Sequence, residues 1–185
     1  AVKSHLCPKE CQVTTAIGQA LGGLDNVEIR HIDQLYGSNF NAIDVAAEQA
    51  AHERAERIVY LFPIQWFNLT PMLKAYLNSV WAFGWAFGPG GNALHGKEML
   101  VITSAGAPNN SYQADGLMQA SAEQVLTPME TCAYYVGMNY AKPVIFYGAM
   151  GADAATLAGW QQQAVQAVST PIAGNLKGKS TRRLA

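Results

Sequence analysis

The sequence predicts an α/β protein built on one largely parallel sheet with helices on both faces. Two observations carry this. Short apolar runs of strand character alternate with segments whose apolar residues recur every three or four positions. Alternation of that kind places crossover helices between parallel strands. The chain has 185 residues, half of them hydrophobic, which suits one domain with a sizeable core.

Residues 1–5 read as a short first strand. Val13, Ala16, Ile17, Ala20, Leu21 and Leu24 then mark one helix face, ended by Gly22 and Gly23. Residues 27–32 alternate, with Val27, Ile29 and His31 opposite Glu28 and Arg30, and predict a strand. A polar loop is expected over 33–43. Asp44 caps a helix to about Arg54. The run 57–62 predicts a buried strand ended by Pro63. Thr70 followed by Pro71 predicts a helix start. Met72, Leu73, Tyr76, Leu77, Val80 and Trp81 form its buried face. Gly84 to Asn92 is a glycine-rich loop, and 98–103 a further strand. Residues 104–112 read as a loop, 114–126 as a helix, 131–136 and 143–147 as strands, and 152–168 as a helix. The domain is expected over 1–169. Residues 170–185, with Lys177, Lys179, Arg182 and Arg183, are expected to form a flexible tail.

The balance of charge excludes one class of function. Twelve basic residues against thirteen acidic ones give a net charge of −1, so nucleic acid is not an expected partner. Cys7, Cys11 and Cys132 form neither a zinc spacing nor an even disulfide set, and no metal is expected. They fit a reducing, cytoplasmic setting. The start carries Lys3, His5 and Lys9 and does not read as a signal peptide. The apolar region from Ile58 to Phe87 is interrupted by Gln65, Asn68, Lys74 and Asn78, which argues against a membrane span.

Right-handed crossovers put the strand-to-helix loops on one sheet edge, where ligands of such folds bind. Three loops meet there. The first, from His5 to Thr14, feeds a helix whose first N–H groups favour an anion, with Cys11, Thr14 and Thr15 as further donors. From the residues alone, an ordinary surface turn is the simpler reading. The second contains Pro63, Ile64, Gln65, Trp66, Phe67 and Asn68. A planar ring would lie against its aromatics, or Trp66 and Phe67 would cap the core. The third, Thr103-Ser104-Ala105-Gly106-Ala107-Pro108 with Tyr112 beyond, has small residues that let a ligand approach the backbone. Together the loops describe a pocket for a planar, anionic ligand such as a nucleotide, flavin or nicotinamide.

These loops resemble those of the flavodoxin-like NAD(P)H:quinone oxidoreductases. The resemblance leans to the bacterial branch holding the ancillary oxidoreductase of a glutathione-gated potassium efflux system. It runs from His5 to about Gly151. It is strongest in Phe62-Pro63-Ile64-Gln65-Trp66-Phe67, in Pro71-Met72-Leu73-Lys74-Ala75-Tyr76-Leu77 and in Gly84-Trp85-Ala86-Phe87-Gly88-Pro89-Gly90-Gly91. Leu94-His95-Gly96-Lys97, Val27-Glu28-Ile29-Arg30, Leu35-Tyr36, Ile43-Asp44-Val45 and Glu48-Gln49 extend it.

The resemblance implies a three-layer sandwich around a five-stranded parallel sheet of order 2-1-3-4-5. It implies FMN, or alternatively FAD, and ping-pong hydride transfer from NAD(P)H through the flavin to a quinone. It also implies a homodimer with its sites at the interface; the aromatics from Trp81 to Phe87 would line that interface or a substrate pocket, or belong to the core. By position, His5, Cys11 and Thr14 match the flavin's phosphate side. Pro63, Ile64, Gln65, Trp66 and Phe67 match the segment around its ring system, and Ser104, Ala105, Gly106 and Ala107 the loop beside it. Tyr112 is expected to donate a hydrogen bond to substrate. Backbone N–H groups around Gln65 and Gly106 are expected to stabilise charge on the ring.

The sequence departs from the family pattern in several places. Cys11 and Thr14 replace a serine and an asparagine, Ala105 and Ala107 replace threonine and glycine, and Lys3 sits inside the first strand. Leu117 and Met118 stand where mammalian relatives carry a histidine. Two other readings stay open: a regulatory flavoprotein subunit on the inner face of the membrane beside a potassium efflux transporter, and a flavodoxin-fold protein that has lost its flavin.

Overall fold

The computed structural model describes residues 1–5 and 12–172. Its elements are β1 (Val2–Lys3), α1 (Gln12–Gly22), β2 (Arg30–His31), α2 (Ile32–Tyr36), α3 (Val45–Arg54), β3 (Arg57–Pro63) and α4 (Pro71–Val80). There follow β4 (Glu98–Ala105), α5 (Ala122–Val125), α6 (Thr127–Tyr135), β5 (Asn139–Tyr140), β6 (Val144–Tyr147) and α7 (Ala154–Ser169).

All strand pairs are parallel, in the order β2-β1-β3-β4-β5, and β6 also pairs with β4. β5 lies beside Glu98 and Met99 of β4, and β6 beside Ile102 to Ala105. They fill one position in succession, interrupted around Pro143, and the sheet is the expected five-stranded 2-1-3-4-5 sheet. The two central strands are buried along nearly their whole length. That is why 58–62 and 99–102 are continuously apolar rather than alternating.

Alternate residues of β3 face different cores. Ile58, Tyr60 and Phe62 join Met72, Leu73, Tyr76 and Leu77 of α4 and Met129 and Ala133 of α6. Val59 and Leu61 join Val13, Ile17 and Leu21 of α1 and Ala164 of α7. Helices thus cover both faces. The predicted caps form: Asp44 accepts from the Ala47 N–H, Thr70 from Leu73, and Asp153 from Thr156.

One side of the sheet is tied by a buried polar cluster. The Glu48 side chain has no solvent exposure. Its carboxylate accepts from the Arg30 guanidinium of β2, the Tyr36 hydroxyl of α2 and the Tyr76 hydroxyl of α4. These partners hold its carboxyl below the ordinary range against the opposing effect of burial. One turn on, the His52 ring bridges the Glu48 carbonyl oxygen (2.8 Å) and the Tyr60 hydroxyl (3.1 Å).

Four local expectations give way. The strand over 27–32 shrinks to Arg30–His31, because β1 offers only Val2 and Lys3 as partners. The polar loop 33–43 contains α2. The helix expected over 114–126 is confined to α5, started by a capping box between Ser121 and Gln124. The strand over 131–136 is instead helix α6, which has Pro128 in its first turn and buries Met129 and Ala133 one turn apart. Cys7, Cys11 and the tail beyond Ile172 lie outside the described residues.

Candidate functional site

The carboxyl ends of β1, β3, β4 and β6 meet at one edge. Ser4 N–H continues the ladder to the Leu61 carbonyl (3.0 Å), and Ile64 N–H that to Ser104 (2.8 Å). Beyond the β6 end, Gly148 N–H donates to the Ala107 carbonyl (2.9 Å). Pro63 is the register partner of Ser104, and Ala105 that of Tyr147. The second and third predicted loops are therefore neighbours. The Ser4 and Thr70 hydroxyls also share a hydrogen bond, joining the end of β1 to the start of α4.

The β3 loop is a tight turn. Gln65 and Asn68 exchange both main-chain hydrogen bonds, each at 3.0 Å. Between them Trp66 and Phe67 have φ of 47° and 62°. This is the backbone of a type I′ turn, which ordinarily selects asparagine and glycine. Large aromatic residues there are strained by roughly 1–3 kcal/mol each. Burial does not compensate, because Trp66 is 94% and Phe67 45% exposed. The alternative that they cap the core is thereby removed.

The β4 loop has a buried wall and an open tip. Ser104 and Ala105 are buried, Gly106 is exposed, and Thr103 donates to the Phe62 carbonyl. Among the described residues, no hydrogen bond engages the N–H groups of Trp66, Phe67, Gly106 or Ala107. The Gln65 N–H is committed to Asn68, so the donors near that residue are those of the turn's tip. Tyr112 is 4% exposed. It packs with Ala105, Ala107, Ile64 and Tyr147, and its ring centroid lies 5.6 Å from that of Tyr147. Burial raises its hydroxyl pKa.

On the β1 side, His5 and Thr14 are both buried, Thr14 in the first turns of α1. The His5 N–H donates to Asp33 Oδ2 at 2.7 Å, while Asp33 Oδ1 is buried without a hydrogen-bond partner among the described residues. Asp33 was not singled out in the sequence, since it falls where a plain loop is expected. Met150 was missed as well. It is 92% exposed on a short turn after β6, beside Gly106.

Two recesses of about 360 and 690 Å³ lie at the opposite end of the strands, around Arg57, Glu98 and Asp25. Their central cation is engaged: Arg57 pairs with Glu98 and donates to the Ala167 and Val168 carbonyls at the end of α7. Arg57 there fastens a helix to the sheet. The exposed Trp66 and Phe67 and the unengaged main-chain N–H groups of Trp66, Phe67, Gly106 and Ala107 lie instead at the carboxyl edge.

Comparison with known proteins agrees with this architecture. General stress protein 14 of Bacillus subtilis (strain 168) is 38% identical over 148 residues, covering 80% of this chain and 82% of that protein. The crystal structure of a general stress protein 14 from Treponema denticola, in complex with FMN, is 32% identical with a TM-score of 0.80. It covers 90% of this chain and 93% of that one. A crystal structure described as a thermophilic tryptophan halogenase from Streptomycin violaceusniger is 34% identical with a TM-score of 0.88, covering 92% of this chain and 98% of that one. The Flavodoxin_2 family model, described as a flavodoxin-like fold, matches residues 3–168, and the chain belongs to that family.

Proposed function

We propose that this protein is an FMN-dependent NAD(P)H:quinone oxidoreductase, with FMN seated on the carboxyl edge of the sheet. The observation that carries this reading is the Trp66–Phe67 turn: two strained, exposed aromatics beside an exposed glycine. Strain without compensating burial is expected where a backbone is shaped for a ligand. The FMN complex of the Treponema denticola relative supports the choice of cofactor.

The residues present fit the group. Trp66 and Phe67 offer ring faces to a planar heterocycle. The N–H groups of Trp66, Phe67, Gly106 and Ala107 are donors for its carbonyl and nitrogen acceptors. His5 and Thr14, with Cys11 outside the described residues, would hold the phosphate side, and Asp33 would fix the backbone there. Pro63, Ile64, Gln65, Ser104 and Ala105 shape the support beneath the ring. The chemistry that bound flavin supplies is hydride transfer between a nicotinamide and a quinone-type acceptor. The chain's own part is to hold the reactants in line and to place fixed N–H dipoles where negative charge develops. Tyr112 lines the wall under the β4 loop, where its hydroxyl would donate to a bound acceptor.

The proposal includes a homodimer. Trp81 and Ala86 are core residues, but Phe83 is 70% exposed, with its ring centroid 5.9 Å from that of Phe87. A second copy covering Phe83 would account for this exposure. Light scattering at micromolar concentration is expected to give twice the chain mass.

Steady-state kinetics test the reaction. NAD(P)H oxidation should require both FMN and a quinone, with parallel lines in double-reciprocal plots as one substrate replaces the other in the site. Intersecting lines, or no FMN-dependent oxidation, would contradict the reading.

A further inference from the structure

Met150 is large, apolar and 92% exposed, yet the turn that carries it is anchored to the β4 loop. β6 ends at Tyr147, and Gly148 turns the chain with a φ of 73° into the short turn Ala149–Gly151. The Gly148 N–H bond to the Ala107 carbonyl fastens that turn to the β4 loop. The side chain then rests over Gly106. A β-carbon placed on Gly106 would lie 3.4 Å from both Cγ and Sδ of Met150. The small residue at 106 therefore does not leave an open floor, because a thioether shares the space.

A single exposed methionine needs no explanation. This one is not alone. Trp66 at 94%, Leu117 at 82% and Phe67 at 45% are also exposed, on loops from the same edge. Across the strand order the sequence is the Trp66 turn on β3, Gly106 on β4 and Met150 after β6. A molecule reaching Gly106 from solvent thus meets an aromatic turn on one side and a movable thioether on the other. Methionine has three rotatable bonds and makes favourable contacts with aromatic ring edges.

We propose that Met150 is a substrate-contacting residue that sets acceptor specificity. It favours flat, uncharged, fused-ring quinones that can lie against its thioether over charged hydrophilic acceptors that cannot. This rests on the flavin reading above and adds to it the residue that selects the acceptor.

The test compares the FMN-loaded parent with Met150→Ala and Met150→Leu. Three quantities are read: FMN affinity by flavin fluorescence, and kcat/KM for menadione and for ferricyanide. Removing an apolar contact of this size should lower kcat/KM for menadione about tenfold, mainly through KM. Ferricyanide turnover, FMN affinity and melting temperature should stay close to the parent, and Met150→Leu should recover most of the loss. Unchanged menadione kinetics in Met150→Ala, or a parallel loss with both acceptors, overturns the assignment while leaving the flavin reading intact. Failure of the parent to bind FMN defeats the flavin reading and this assignment with it.

Discussion

Asp33 Oδ2 accepts the backbone N–H of His5 at 2.7 Å, so the first turn of α2 holds the chain leaving β1. The bond spans 28 residues of sequence at the start of the first loop. Asp33→Ala removes the acceptor of a part-buried N–H and should cost about 1–3 kcal/mol in urea unfolding. Asp33→Asn keeps a side-chain oxygen and should stay near the parent. The loop is assigned to the phosphate end of the flavin, so Asp33→Ala should weaken FMN binding more than riboflavin binding. Equal weakening of both would move His5 away from the phosphate.

Glu48 is a buried carboxylate with three donors from three elements. Removing one member of such a cluster leaves the others desolvated. Glu48→Ala should lose on the order of 3 kcal/mol, since breaking a buried pair costs roughly 3–5 and Arg30 remains a quarter exposed. Equilibrium denaturation against the parent measures this directly.

The same region sets the acid limit of stability. The Glu48 carbonyl oxygen only accepts, so His52 donates through Nδ1 and accepts from the Tyr60 hydroxyl through Nε2. This is the neutral ring, and burial lowers its pKa below the ordinary 6.5. The unfolded chain therefore takes up the proton first as pH falls. Stability present above about pH 6.5 is lost as pH falls toward the folded-state value. His31, lowered mainly by burial, adds in the same sense, and Glu48 follows below its ordinary 4.5. Urea midpoints at pH 7.5 and 5.5 should differ, and His52→Gln should reduce the difference. An unchanged difference in that variant would assign the pH dependence elsewhere.

Trp66 and Phe67 separate stability from function. Glycine adopts φ of 47° or 62° without the side-chain penalty, although it gains more entropy on unfolding. Trp66→Gly should leave stability unchanged or raise it by up to about 1 kcal/mol, because the lost indole is exposed. FMN affinity should nevertheless fall. Calorimetric melting of the apoprotein beside FMN titration checks both, since bound cofactor itself raises apparent stability. A clear loss of apoprotein stability would mean that Trp66 supports the fold.

Much of this architecture could be read from residue patterns, for identifiable reasons. β3 and β4 are long and buried on both faces, so their apolar runs are unambiguous. α3, α4 and α7 begin with side-chain caps at Asp44, Thr70 and Asp153. α6 was hidden because Thr131, Tyr134, Tyr135 and Val136 favour strands by propensity, and tertiary packing overrode it. Pro128 and the Met129–Ala133 spacing were the overlooked signals. The site was legible as three converging loops, yet its details were not. No glycine or asparagine at 66–67 announces a type I′ turn, and neither the Asp33–His5 bond nor the Met150–Gly106 contact follows from local sequence.

The proposed function requires that this chain bind FMN at the edge bounded by the Trp66 turn and the Gly106 loop. Titration calorimetry of the apoprotein with FMN tests it most directly. Saturable binding at one site per chain is expected, markedly weakened in Trp66→Gly. Absence of saturable binding by the folded parent, or binding that Trp66→Gly leaves unaltered, would contradict it.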